Sequence, residues 1–96
     1  MIDLGMAAKI RPCLILSVAY RDNERAVVTY VARTSTLRGG RFEVAHQAPI
    51  FKPGVFDGQH IGTVPSVKLI RHLGNVSAAV LRNVETAVQA WLGFGN

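Results

Sequence analysis

An unbroken apolar stretch, Cys13-Leu14-Ile15-Leu16, follows Arg11-Pro12 and is closed by Ser17. A short run without polar interruption is the pattern of a strand covered on both faces. Pro12 fits the first position of such a strand, where its missing N–H breaks no ladder bond. The run fades near Val18, and a polar turn over 21–24 separates it from residues 26–32. That second stretch is rich in β-branched residues and predicts a strand antiparallel to the first. Ahead of them, residues 1–4 read as the tail of a strand and 5–9 as a short flexible connection. Phe42-Glu43-Val44 alternates and predicts a short strand. Residues 46–59 hold Pro49, Pro53, Gly54 and Gly58, so they read mostly as loop. Another short strand is expected over 60–64, stopped by Pro65. Ser66 is placed to cap one helical turn through Leu69. A last strand is expected over 71–76, weakened or bulged by Gly74.

The period changes after Ser77. Val80, Leu81, Val84, Val88, Trp91 and Leu92 recur at helical spacing, with Arg82, Glu85, Thr86 and Gln89 on the other side. Ser77 is the expected N-cap, Gly93 the expected stop, and the stripe is one face wide, as packing on a sheet requires. The elements predict a single α+β domain over 1–96: a small, twisted, mostly antiparallel β-barrel with a C-terminal helix.

With 49% hydrophobic and 18% charged residues, the 96-residue chain has the composition of a globular domain with one modest core. No apolar stretch approaches the roughly 20 residues of a membrane span, and Met1-Ile2-Asp3-Leu4 puts an acid where a secretory leader carries positive charge. Cys13, the single cysteine, falls inside the buried run and reads as a core thiol in a reducing cytoplasm. A net charge of +5 points to a polyanionic partner, either nucleic acid or an acidic protein segment.

Two places concentrate anion-binding groups. Arg11, with Lys9 just before it, stands where the first buried strand enters the core; a guanidinium held at a sheet rim offers a planar fork to phosphate oxygens. Residues 33–41, Arg33-Thr34-Ser35-Thr36-Leu37-Arg38-Gly39-Gly40-Arg41, pack three hydroxyls and three arginines around a glycine pair. Hydroxyl donors, forked cations and backbone that allows close approach are the groups that bind phosphate. Cys13, His46, His60 and His72 share no zinc-ligand spacing, the six acids are scattered, and no glycine-rich nucleotide loop precedes a helix. Phosphate chemistry on this chain is therefore expected to proceed without a metal.

In their order these pieces resemble the MazF/PemK family of toxin–antitoxin ribonucleases. Arg11-Pro12-Cys13-Leu14-Ile15-Leu16-Ser17 is similar to the family's R-P-x-[LV]-[VI]-[LV]-S. Residues 31–44 resemble its second motif: a strand, a Thr-Thr or Thr-Ser pair, a basic glycine loop and F-E-V. Residues 66–73 are similar to its short helical turn and following strand, and Ala90-Trp91-Leu92-Gly93-Phe94 to its W-L-G-[LF] tail. The resemblance implies an SH3-like, plug-type barrel forming a cytoplasmic homodimer. It implies cleavage of single-stranded RNA without metal or other cofactor, through 2′-hydroxyl attack to a 2′,3′-cyclic phosphate. It assigns catalysis to Arg11 and Thr34. Lys9, Arg33, Ser35, Arg38 and Arg41 are the expected contacts to RNA, and Arg33, Arg38 and Arg41 also, in the inhibited state, to an acidic antitoxin. Gly5-Met6-Ala7-Ala8 lacks the glutamate usual in the family's first loop, so no carboxylate base comes from there. Two other readings stay open: a non-enzymatic toxin resembling the gyrase poison CcdB, and an inactive barrel that only binds its antitoxin.

Overall fold

A computed structural model describes residues 3–7 and 11–94. Six strands form one antiparallel sheet: β1 (Asp3–Ala7), β2 (Arg11–Ile15), β3 (Val27–Thr34), β4 (Glu43–His46), β5 (Gly54–Pro65) and β6 (His72–Asn75). Their spatial order is β4-β5-β3-β2-β1-β6. A 3₁₀ turn (Ser66–Lys68) follows β5, and helix α1 (Ala78–Leu92) follows β6.

The apolar run in β2 does what its pattern demands. Leu14 pairs with Val31 and Cys13 with Ala32. Neighbouring residues of a strand point to opposite faces, and all four of these are buried, so β2 and β3 are covered on both sides. Leu14 and Val31 join Phe56, Val76, Val84 and Val88 in one core, over which α1 lies against β4 and β5. The helix has its expected ends. The Ser77 hydroxyl accepts from the Val80 N–H at 3.2 Å. Gly93, at φ 79°, turns the chain so that the Phe94 N–H donates to the Gln89 carbonyl at 2.8 Å. The apolar stripe is core only as far as Val88: Trp91 and Leu92 are nearly half exposed, Trp91 meeting the Phe42 ring edge-on at 5.5 Å.

Five expectations are corrected. The sheet is not closed into a barrel; β4 and β6 are its edges and do not pair with each other among the described residues, so the α+β class holds with an open sheet. Gly5, Met6 and Ala7 are not connection but strand, paired with Cys13, Pro12 and Arg11. β3 runs two residues further than its β-branched core, through Arg33 and Thr34, because β5 pairs along its whole length.

The proline- and glycine-rich stretch read as loop up to Gln59 contains the first half of β5. Residues 54–57 pair with the end of β3 and with β4, residues 61–65 pair with the start of β3, and 58–60 are extruded between them. Gly58 is there because there is no room for a side chain: a Cβ would lie 2.8 Å from the Phe42 carbonyl oxygen and 3.2 Å from the Ala87 Cβ. The glycine marks a bulge and a close approach, not a loop. Lastly, Ser66 makes no capping bond; its hydroxyl instead lies 3.1 Å from that of Tyr20.

Candidate active site

Three strand ends converge at one edge of the fold. β2 begins with Arg11 and β3 ends with Thr34. The β2–β3 pairing runs as far as Cys13 opposite Ala32, and Arg11 and Thr34 each lie two residues beyond it on their strands. β5 begins just after Lys52-Pro53, with Val55 paired to Thr34. Between these ends lies a cavity of about 320 Å³ lined by Arg11, Pro12, Arg33, Thr34, Ser35 and Lys52. The lining carries three cations and two hydroxyls and no carboxylate, which is the donor set of an anion site.

The Thr34 hydroxyl is aimed by its own turn. Its Oγ1 accepts from the Thr36 N–H at 3.0 Å, which leaves the hydroxyl hydrogen to donate elsewhere. Glu43 accepts from the Arg38 and Gly39 N–H groups at 2.9 and 3.1 Å, so the glycine-containing loop is tied down at the start of β4. Gly39 takes φ 76° in that turn. Arg38 and Arg41 are exposed on the loop and neither lines the cavity; the Arg41 guanidinium lies 4.5 Å over the Phe42 ring. Lys9 lies outside the described residues.

Arg33 is where the structure departs most from the expected exposed backbone grip. It shares Val31's face of β3, the core face, and is only 6% exposed. Its Nε donates to His46 Nδ1 at 2.8 Å, and one terminal nitrogen donates to the carbonyls of His46 at 2.7 Å and Lys52 at 2.8 Å. The guanidinium also lies 4.7 Å over the Phe51 ring. Burial lowers its pKa from the ordinary arginine value. For His46, burial and then the nearby Arg33 charge push the pKa below 6.5. The imidazole is thus neutral, its Nδ1 accepting and its proton on Nε2. Its ring stacks 4.7 Å from Phe56. Lys52 went unread in the sequence; its single cue was a cation beside Pro53 in the middle of the supposed loop.

A family model described as the PemK-like, MazF-like toxin of type II toxin–antitoxin systems matches residues 2–92. Solved structures agree. The chain is 26% identical to an endoribonuclease from a mycobacterial species, covering 98% of this chain and 90% of that one at a TM-score of 0.82. It is 26% identical to the Mycobacterium tuberculosis toxin MazF-mt6 over 99% of this chain and 98% of that one, also at 0.82. A MazE–MazF complex from Deinococcus radiodurans matches at 25% identity, 97% and 94% coverage and 0.82. No curated protein matches in sequence. The open antiparallel sheet with its C-terminal helix is thus the MazF-like fold, and the chain belongs to the PemK/MazF family of type II toxins.

Among the described residues, no group of three or more His, Cys, Asp or Glu side chains is placed to hold a metal ion. No described helix is long and apolar enough to cross a membrane.

Proposed function

We propose that this toxin is an endoribonuclease that cuts single-stranded RNA at the cavity between Arg11, Thr34 and Lys52, with no metal in the reaction. The observation that carries the reading is the juxtaposition of Arg11 and Thr34 on adjacent strands, at one cavity whose lining is cationic and hydroxylic. The substrate's own 2′-oxygen attacks the adjacent phosphorus as its proton passes to solvent. The bond to the 5′-oxygen breaks, that oxygen leaves protonated, and a 2′,3′-cyclic phosphate remains. Charge grows on the non-bridging oxygens during this step. Arg11 and Lys52 neutralise it, and the Thr34 hydroxyl donates to one of those oxygens. Such preorganised donors act where charge develops and need no reorganisation at the moment of reaction.

Arg38 and Arg41, exposed on the loop that follows Ser35, contact flanking phosphates, and the same cations receive the acidic segment of an antitoxin. The active unit is a homodimer, which light scattering at micromolar concentration checks: a monomeric mass counts against it. Exposed apolar side chains at Val18 and Val67, near the Tyr20–Ser66 contact, support a second copy there. The decisive variants are Arg11→Ala and Thr34→Ala, each folded and each slower by about 10²–10³, the cost of losing one oxyanion-type donor. Full activity in either removes that residue from the mechanism.

A further inference from the structure

We propose that Arg33 is a positioning residue, a staple that holds the segment between β4 and β5 against the end of β3 and thereby sets Lys52 over the cavity. The inference rests on the reading of that cavity as the RNA-cleaving site.

The geometry is a bridge with both feet defined. Arg33 is fixed on β3 by its pairing with Phe56. From there its guanidinium reaches two places on the other segment: the ring and carbonyl of His46 at the end of β4, and the carbonyl of Lys52 itself. Phe51, the residue before Lys52, lies under the guanidinium plane. Gly54 makes room for the fork, since a Cβ there would lie 2.9 Å from a terminal nitrogen of Arg33. The Lys52 carbonyl and the ring of the preceding Phe51 are thus both held by one residue that begins next to Thr34.

Two physical points separate this from ordinary packing. Position 33 continues the core face of Val31, where an apolar side chain would pack without desolvating a cation; a buried guanidinium with no carboxylate partner is a costly way to fill space. The contacts also use the divergent donors of a guanidinium. A lysine ammonium is a single point at the end of a flexible stem and cannot bridge all three acceptors in one plane. Arg33→Lys therefore keeps the charge and removes the staple.

The test is a double-variant cycle on single-turnover cleavage of a long single-stranded transcript, with rates taken at saturating and at half-saturating protein. Arg33→Lys, checked for folding by circular dichroism, slows the saturated rate about tenfold to a hundredfold, the order expected when a catalytic group is misplaced by an ångström. In a Lys52→Ala background the same substitution costs less than about twofold, because the group it positions is gone. Amide exchange over residues 47–53 becomes faster in Arg33→Lys. Equal losses in both backgrounds, or unchanged rate and exchange in Arg33→Lys, overturn the proposal. Should Arg33→Lys fail to fold, His46→Leu, which removes the Nδ1 acceptor along with the ring's contacts to Phe51 and Phe56, carries the same cycle with the same two outcomes. Absence of cleavage by the unmodified protein would instead overturn the ribonuclease reading, and the exchange measurement would still decide whether Arg33 holds the segment.

Discussion

Gly54 is the position at which the smallest chemical change should do the most damage. It begins β5, pairs with His46 of β4, and sits one residue from the partner of Thr34. A single methyl group there would place its carbon 2.5 Å from the Thr34 carbonyl oxygen and 2.9 Å from an Arg33 terminal nitrogen. The first of these is backbone and cannot swing aside, so the end of β3 must move away from β5. Overpacking of this kind costs about 1–3 kcal/mol. The lower backbone entropy of alanine in the unfolded chain offsets roughly 0.5–1 kcal/mol of that. A net loss of 1 kcal/mol lowers the melting temperature of a domain this size by roughly 4–8 °C.

Activity should fall further than stability, because the displaced carbonyl belongs to Thr34: about a hundredfold for a shift of an ångström. Gly40→Ala is the matched control, since a Cβ there meets nothing within 4 Å; its stability stays within about 0.5 kcal/mol of the parent. Urea denaturation and cleavage of a long single-stranded transcript read both quantities. If Gly54→Ala matches the parent in stability and rate, the convergence of β3, β4 and β5 described above is wrong.

Two further outcomes follow from the same geometry. His46 titrates below 6.5 in the folded protein, so under that pH the native state holds fewer protons than the unfolded chain. Its contribution is complete above pH 6.5 and is lost as pH falls from there through the folded value. Urea midpoints between pH 7.5 and 5.5 should therefore drop more steeply for the parent than for His46→Leu, and identical slopes would remove His46 as the cause. Arg38→Ala should flatten the salt dependence of RNA binding by about 0.7 in log K per log salt, one single-strand phosphate, while the cut-site sequence stays the same. An unchanged slope would make Arg38 a solvated surface residue.

What the sequence showed and what it hid divide along the line between local and convergent information. The strand entry at Arg11 and the hydroxyl-rich end of β3 were legible because each is a local pattern: a cation before a proline-led apolar strand, and hydroxyls following a β-branched one. Ser77 and Gly93 were legible for the same reason, since caps act within a turn of their own position. Arg33 was misread because the polar run from Arg33 to Thr36 ends the β-branched pattern two residues before β3 ends. Extending the alternation from Val31 would have put Arg33 on the core face. Its partners His46 and Lys52 lie in a stretch whose prolines and glycines mimic a loop, although Gly54 and Gly58 mark close approaches of backbone in the structure. No pattern in one segment can report that three strand ends meet, which is why Lys52 emerged only from the fold.

The cavity of Arg11, Thr34 and Lys52 is proposed to cut RNA through the substrate's own 2′-hydroxyl. The most direct test is to incubate the purified protein with long single-stranded RNA in EDTA and determine the chemistry of both new ends. The expected fragments end in a 2′,3′-cyclic phosphate and begin with a 5′-hydroxyl, and they are absent when Arg11 or Thr34 is alanine. Fragments beginning with a 5′-phosphate, or cleavage that stops when metal is chelated, would contradict it.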